Sequence, residues 1–369
     1  MNVGGIAAHA PTAQRIFTLL ERGRERQASD LHIEPGQGAA YRIFTEIERI
    51  IGASFEAADV SAFLDDTIDR LSRARLDKIG ITDAFYADDR VGSVRIHASR
   101  GKHGPRLAIR LLARSIPAFE TLGHPTVIGN LTELRSGLII VAGPTGSGKS
   151  TTIASLLDKI NAVSAKHIVT FEDPVEYQHH WFRSVVTQYE VGRDVATYAD
   201  GVRGALRADP DVLFIGELRG LETVAACLQA AETGHLVFAA LHTSSETAQA
   251  VNRIVGLFPG EEQVNARSRL ADTLRAVVGL RLLPRRDRTG LRAAAEVALV
   301  NDSIRRLIRD GATHQLRDTI ANARNEGSQT LEAHLSELVA AGDLDLITSR
   351  AASAYPNEVR EPYKQFPRG

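Results

Sequence analysis

Short, nearly uninterrupted apolar runs recur through the second half of the chain: "GLIIVA", "HIVTF", "VLFIG" and "LVFAAL". Runs of this kind, apolar at successive positions rather than alternating, predict strands buried on both faces of a parallel sheet. Between them lie helical patterns. "STTIASLLDKIN" sets Ile153, Leu156, Leu157 and Ile160 at helical spacing, and "TYADGVRGALRA" and "LETVAACLQAAE" follow the same period. Alternation of the two predicts a doubly wound α/β domain. From Glu261 the pattern reads as helical through Leu283, "RRDRTG" reads as a turn, and further helices are expected to about Gly342.

The first third is built differently. "TAQRIFTLLERGRER" places Ile16, Leu19 and Leu20 on one helical face, and "AADVSAFLDDTIDRLSRARL" repeats the idea with Val60, Leu64, Ile68 and Leu71. "AYRIF", "GSVRIHAS" and "RLAIRLLA" are strand-like, the last alternating through Leu107, Ile109 and Leu111. These features predict a small α+β domain over residues 1–115. Pro117, Gly123, Pro125 and Gly129 interrupt regular structure, so 116–130 is expected to connect it to an α/β domain over 131–350 with a helical C-terminal part. The polar, proline-bearing residues 351–369 are expected to form a flexible tail.

Composition narrows the function classes. The 369 residues exceed one ordinary core, and 43% hydrophobic with 24% charged residues is the balance of a soluble globular protein. Lys plus Arg number 44 against 45 Asp plus Glu, so no bulk positive charge calls for nucleic acid as partner. The single cysteine, Cys227, lies in an apolar repeat and excludes an intramolecular disulfide framework; a core position in a reducing cytoplasm is expected. The opening "MNVGGIAAHAPTAQRIF" carries no basic region followed by a long apolar run, so no secretion signal is expected. No stretch reaches the roughly 18 apolar residues that span a bilayer, so direct membrane insertion is not expected.

The chemistry concentrates at strand ends. "GPTGSGKS", Gly143 to Ser150, fits G-x-x-x-x-G-K-[ST] between a strand and an amphipathic helix. Its residues Gly143, Pro144, Thr145, Gly146, Ser147, Gly148, Lys149, Ser150 and the following Thr151 form the expected nucleotide-binding loop. Backbone N–H groups would face the phosphates, Lys149 would supply charge, and the Ser150 hydroxyl would serve Mg²⁺. Polar groups then follow the other apolar runs: "EDPVE" (Glu172 to Glu176), Glu217, and His242 with Thr243. In an open α/β sheet such groups converge at the carboxyl edge.

Glu217 is the candidate for orienting or deprotonating the attacking water. It is preceded by Gly216, where P-loop hydrolases commonly place a magnesium-binding aspartate; Glu176 or Asp173 is the candidate for that duty. His242 and His235 are candidate sensors of phosphate state. A phosphoryl-transfer site also needs opposing positive charge, and among Arg95, Arg100, Arg106 and Arg110 the last two are the candidates for reaching nucleotide.

The chain resembles the secretion and pilus ATPases, and within them most closely the type IV pilus retraction ATPases, the PilT family. The resemblance runs through "ASDLHIEPG", "GPTGSGKSTT", "HIVTFEDPVEYQH", "ALRADPDVLFIGELRGLET", "AAETGHLVFAALHTS" and "LFPGEE", over roughly residues 13 to 345. It implies a PAS-like N-terminal domain followed by a RecA-like ATPase domain, a homohexameric ring, ATP between the two domains and Mg²⁺ as cofactor. It maps the family's acidic box to Glu172–Glu176 with Glu176 as the functional carboxylate, its Walker B glutamate to Glu217 and its histidine box to His242. The family itself carries Gly-Glu at this position.

A retraction role follows from similar reasoning. Assembly and type II secretion ATPases commonly carry a longer N-terminal region and a four-cysteine metal loop, which this sequence does not show. "SIRRLIRD" keeps Ile304, Arg305, Leu307, Ile308 and Arg309 of the retraction family's A-I-R-N-L-I-R-E helix and departs at Ser303, Arg306 and Asp310. The expected work is pilus retraction from the cytoplasmic side of the inner membrane, through an inner-membrane platform protein. The alternatives are a conjugation or type II secretion ATPase of the same superfamily and, from another class, a RecA-like nucleic-acid motor.

Overall fold

A computed structural model describes residues 12–43, 46–112 and 115–361. The first residues, in which no secretion signal is expected, and residues 362–369 of the expected tail lie outside this range. The chain divides into two compact units, Met1–Ser115 and Ile116–Gly369.

In the first unit, helix α1 (Thr12–Glu25) precedes strands β1 (Ala28–Glu34), β2 (Gly38–Ile43) and β3 (Glu46–Ile50). Helices α2 (Ala57–Thr67) and α3 (Arg70–Ile79) precede β4 (Ile81–Asp88), β5 (Gly92–Gly101) and β6 (Gly104–Leu111). The strands form one antiparallel sheet in the order β3-β2-β1-β6-β5-β4. Alternate residues, Leu31 and Ile33, Val94 and Ile96, Leu107 and Ile109, are buried with Ile16, Leu19, Leu20, Phe63 and Leu64. This is the period of two expected of a half-buried sheet.

The single helical pattern read across residues 57–76 is in fact two helices. Ile68 is extended, Asp69 caps α3 by accepting from the Ser72 N–H, and Leu71 is 83% exposed rather than part of the core face. A good N-cap residue at the junction outweighs continuation of the helical period.

The second unit holds α4 (Thr126–Asn130), β7 (Gly137–Gly143), α5 (Lys149–Val163), β8 (His167–Glu172), β9 (Val185–Glu190), α6 (Tyr198–Ala205), β10 (Val212–Ile215), α7 (Leu221–Glu232) and β11 (Leu236–His242). It continues with α8 (Thr247–Val255), α9 (Gln263–Thr273), β12 (Leu274–Pro284), β13 (Leu291–Leu299), α10 (Asp302–Asp310), α11 (Leu316–Asn322), α12 (Leu331–Ala340) and α13 (Leu346–Ala351). Its sheet runs β13-β12-β7-β11-β10-β8-β9, parallel throughout except for β13. Both faces are covered by buried apolar residues, as continuous apolar strands require.

Three expectations change here. Residues 274–299, expected to be helical on either side of a turn, form the β12–β13 hairpin on the β7 edge. Residues 116–130 pack against α5: Phe119 and Ile128 are buried, the Ser155 hydroxyl donates to the Pro117 carbonyl at 2.7 Å, and His124 Nε2 meets Thr152 Oγ1 at 2.8 Å. Residues 351–361 are also packed, with Val359 buried beside Leu335 and Leu338 of α12. Among the described residues no helix is long and apolar enough to cross a membrane.

Candidate active site

The sheet order puts β7, β11, β10 and β8 side by side, so their carboxyl ends form one row. His242 pairs in register with Gly143, and Ile215 pairs with both Ala239 and Phe171. The loop after β7, His242, Glu217 and Glu172 are therefore brought together, as strand-end polar groups of an open α/β sheet should be.

The loop from Gly143 to Gly148 curls because Gly146 and Gly148 take φ of +77° and +90°, left-handed values that side chains disfavour. Gly148 is also the N-cap of α5 and offers no side-chain hydrogen bond, so the first N–H groups of that helix are left facing the loop. Lys149 is buried, yet its Nζ donates only to the carbonyls of Gly143 (3.0 Å) and Pro144 (2.8 Å) and approaches His242 Nδ1 at 3.4 Å. Burial pulls the Lys149 ammonium below its ordinary range, and Glu217 and Glu176 oppose that shift. Ser147 Oγ is buried without a partner. A buried cation, an orphaned hydroxyl and open helix N–H groups in one concavity fit an oligophosphate.

Glu217 lies between two bases. Arg219 Nε is 2.7 Å from its Oε2 and His242 Nε2 is 3.8 Å from the same atom. Burial and the neighbouring Lys149 lower the affinity of His242 for a second proton. Lys149 can only donate, so His242 Nδ1 accepts and its Nε2–H points to Glu217. His242 thus stands between the loop lysine, at 3.4 Å, and the candidate catalytic carboxylate, at 3.8 Å.

Gly216 has a structural reason. A Cβ at this position would stand 3.1 Å from the Phe171 carbonyl oxygen, 3.2 Å from Glu172 Cα and 3.3 Å from the Tyr198 hydroxyl. The Gly216 N–H also donates to Phe171 O at 2.8 Å. A side chain here would need the β8 backbone and the Tyr198 hydroxyl to give by a few tenths of an ångström.

The acidic box is held from several sides. Glu172 is buried, and burial pushes its carboxyl up to about 7, opposed by hydrogen bonds from Thr170 (2.7 Å) and Gln188 (3.1 Å). Gln188 on β9 also donates to Tyr177 O at 2.9 Å and accepts from the His179 N–H at 2.9 Å. The Tyr177 hydroxyl meets Thr151 Oγ1 at 2.8 Å, tying the box to the first turn of α5. Asp173 and Glu176 are exposed, and Glu176 lies within electrostatic reach of Lys149. Ser150 is half-buried in the first turn of α5.

Other candidates separate. His235 sits at the amino end of β11 and caps α7 through Ala230 O at 2.9 Å, at the sheet edge opposite His242. Cys227 is buried in α7 and its thiol is pushed up to about 12 by burial, an inert core residue. In the first unit, Arg106 pairs with Glu34 at 2.8 Å and Arg110 with Asp30 at 3.1 Å, both well exposed. Arg219, Gln188 and Tyr177 were not singled out by sequence reasoning: Arg219 reads as an ordinary surface charge, and β9 is a short edge strand whose periodicity carries little signal.

Comparison with known proteins shows the family and the fold. Residues 7–349 match the family described as Type II/IV secretion system protein. The type IV pilus retraction ATPase PilT of Pseudomonas aeruginosa is 36% identical over 341 residues, 92% of this chain and 98% of that protein. The uncharacterized protein YggR of Escherichia coli is 40% identical over 320 residues, 87% of this chain and 97% of that protein. The crystal structure of the pilus retraction motor PilT with bound ADP superposes with a TM-score of 0.85 at 37% identity, covering 93% of this chain and 98% of that one. The chain belongs to the type II/IV secretion system protein family.

Proposed function

We propose that the chain is the ATP-hydrolysing motor of a type IV pilus system and that it powers pilus retraction. The observation that carries this reading is the row Lys149–His242–Glu217 at adjacent strand ends, with Gly216 where other hydrolases keep an aspartate. The similarity to PilT across almost the whole chain supports the retraction role.

Lys149 leaves the Gly143 and Pro144 carbonyls to meet the β and γ phosphates, while the first N–H groups of α5 receive the remaining phosphate oxygens. Mg²⁺, when bound with ATP, would neutralise phosphate charge. Ser150 would hold that ion through its hydroxyl, and Glu176 would orient water in its shell. Glu217 accepts the proton of, or orients, the attacking water, and His242 reports the phosphate state to its surroundings.

The working form is a homohexamer on the cytoplasmic side of the inner membrane, acting on a platform protein of the pilus machine. A strain lacking this chain, compared with one carrying Lys149→Ala, tests the reading. Persistent surface pili in both, with retraction restored by wild type, are expected. Normal retraction in both, or a defect in protein secretion alone, contradicts it.

A further inference from the structure

The turn that follows His242 is held from outside the nucleotide machinery. Ser245 is fully buried, and a Cβ on Gly279 of β12 would stand 1.8 Å from its carbonyl oxygen, so only glycine permits the approach. Arg281 Nε donates to Ser245 Oγ at 3.0 Å. Two residues on, the Thr247 N–H and the Thr247 hydroxyl both donate to one oxygen of Glu296, at 2.6 and 2.7 Å.

Thr247 opens α8, where N–H groups lack partners within the helix. The N-cap residue Glu246 makes no side-chain hydrogen bond, and the carboxyl of Glu296, on β13, does its work from across the sheet. Such a carboxyl is favoured at a helix N-terminus, and its geometry fixes where that helix begins. Glu296 is 5% exposed, which a carboxyl tolerates only with dedicated donors. It lines a cavity of about 220 Å³ with Ser245, Thr247, Arg281, Arg317 and Glu332. Glu332, itself buried, is held by Arg317 at 3.1 Å and by the Ser353 hydroxyl at 2.6 Å.

We propose that Glu296 is a positioning residue for ATP hydrolysis: by fixing Thr247 it holds the turn 243–247 so that His242 stays between Lys149 and Glu217. The inference rests on the role given to His242 above. It joins the hydrolytic row to β13, an element that no phosphate-binding motif includes.

A double-mutant cycle on the full-length chain with Mg-ATP as substrate tests it. Glu296→Gln lowers kcat roughly 10- to 100-fold, the scale of an ångström-level misplacement. KM for ATP changes by less than about twofold, because uniform substrate binding is untouched. In a His242→Ala background the same substitution changes kcat by less than about twofold, since residues acting through one another are not additive. Thr247→Val attacks the clamp from its other side and gives the same kcat defect, whereas Thr247→Ser, which keeps both donors, restores the wild-type rate; this pair carries the test should Glu296→Gln lose its fold. Equal kcat losses with and without His242, an effect on KM alone, or wild-type kcat in both Glu296→Gln and Thr247→Val overturn the proposal. Wild-type kcat in His242→Ala overturns the underlying role of His242 and the proposal with it, a result distinct from additivity.

Discussion

Arg219 Nε lies 2.7 Å from Glu217 Oε2, two residues along the same strand-end turn. The carboxylate is thus held from the solvent side by a guanidinium whose side chain is 67% exposed, with His242 Nε2 3.8 Å away on its other side. The turn after β10 supplies both the catalytic candidate and its counter-charge.

The exposure of Arg219 decides what its removal does. An ion pair with one well-solvated partner contributes little to folding, so Arg219→Ala is expected to change stability by less than about 1 kcal/mol in urea titration. Its kcat loss is expected to be smaller than that of Glu217→Gln. A loss of several kcal/mol would instead mark Arg219 as a structural post.

Restoring the common aspartate should harm the protein. At Gly216 the two nearest neighbours are backbone atoms of β8, which cannot swing aside as a side chain can. Gly216→Asp is expected to cost about 1–3 kcal/mol, with Gly216→Ala costing less, and neither is expected to raise turnover. Thermal melts and steady-state ATPase assays check this; wild-type stability with faster hydrolysis in Gly216→Asp contradicts it.

Gln188 spends its carbonyl and both amide hydrogens on the acidic box. Gln188→Ala leaves Tyr177 O and the His179 N–H without their partner, an expected cost of about 1–3 kcal/mol with a fall in kcat. Gln188→Glu is expected to fail similarly, because a carboxylate cannot donate to Tyr177 O. Normal turnover in both variants contradicts a positioning role for this side chain.

Two buried pairs predict opposite pH responses. Burial pushes the Glu172 and Glu296 carboxyls up to about 7 from 4.5, so between these values the folded state binds more protons than the unfolded state. Their contribution is full below 4.5 and is lost as pH rises through about 7. Burial pushes His124 and His334 down to about 4 from 6.5, so their contribution is full above 6.5 and is lost as pH falls through about 4. Urea titrations across this range are expected to show the Glu172→Gln, Glu296→Gln double variant losing the decline toward neutral pH while keeping the acid loss. A neutral-side decline of wild-type size in that variant contradicts the assignment.

The core of the second unit was legible because its strands are buried on both faces and therefore read as plain apolar runs: β7, β8, β10 and β11 fall on the four segments quoted above, and α5 to α7 lie between them. The β12–β13 hairpin was not. "LRAAAEVAL", the β13 segment, is rich in good helix formers, and its pairing with β12 overrides that local preference. Strand β9 is short, at a sheet edge, and half polar, so Gln188 carried no visible signal. The strand-end cluster was legible as a principle of open sheets, since Glu217, His242 and the phosphate loop each end a recognisable run. What surrounds that cluster was not: Gln188 and Glu296 make their contacts between elements, which spacing along the chain does not encode, and Arg219, although two residues from Glu217, reads as an ordinary surface charge.

The central claim is that Glu217 serves the attacking water while the phosphate loop does the binding. Steady-state turnover and ATP affinity of Glu217→Gln beside wild type test it most directly. Turnover is predicted to fall by about 10²- to 10⁴-fold with affinity for ATP retained; near-wild-type turnover, or a loss explained wholly by failure to bind ATP, would contradict it.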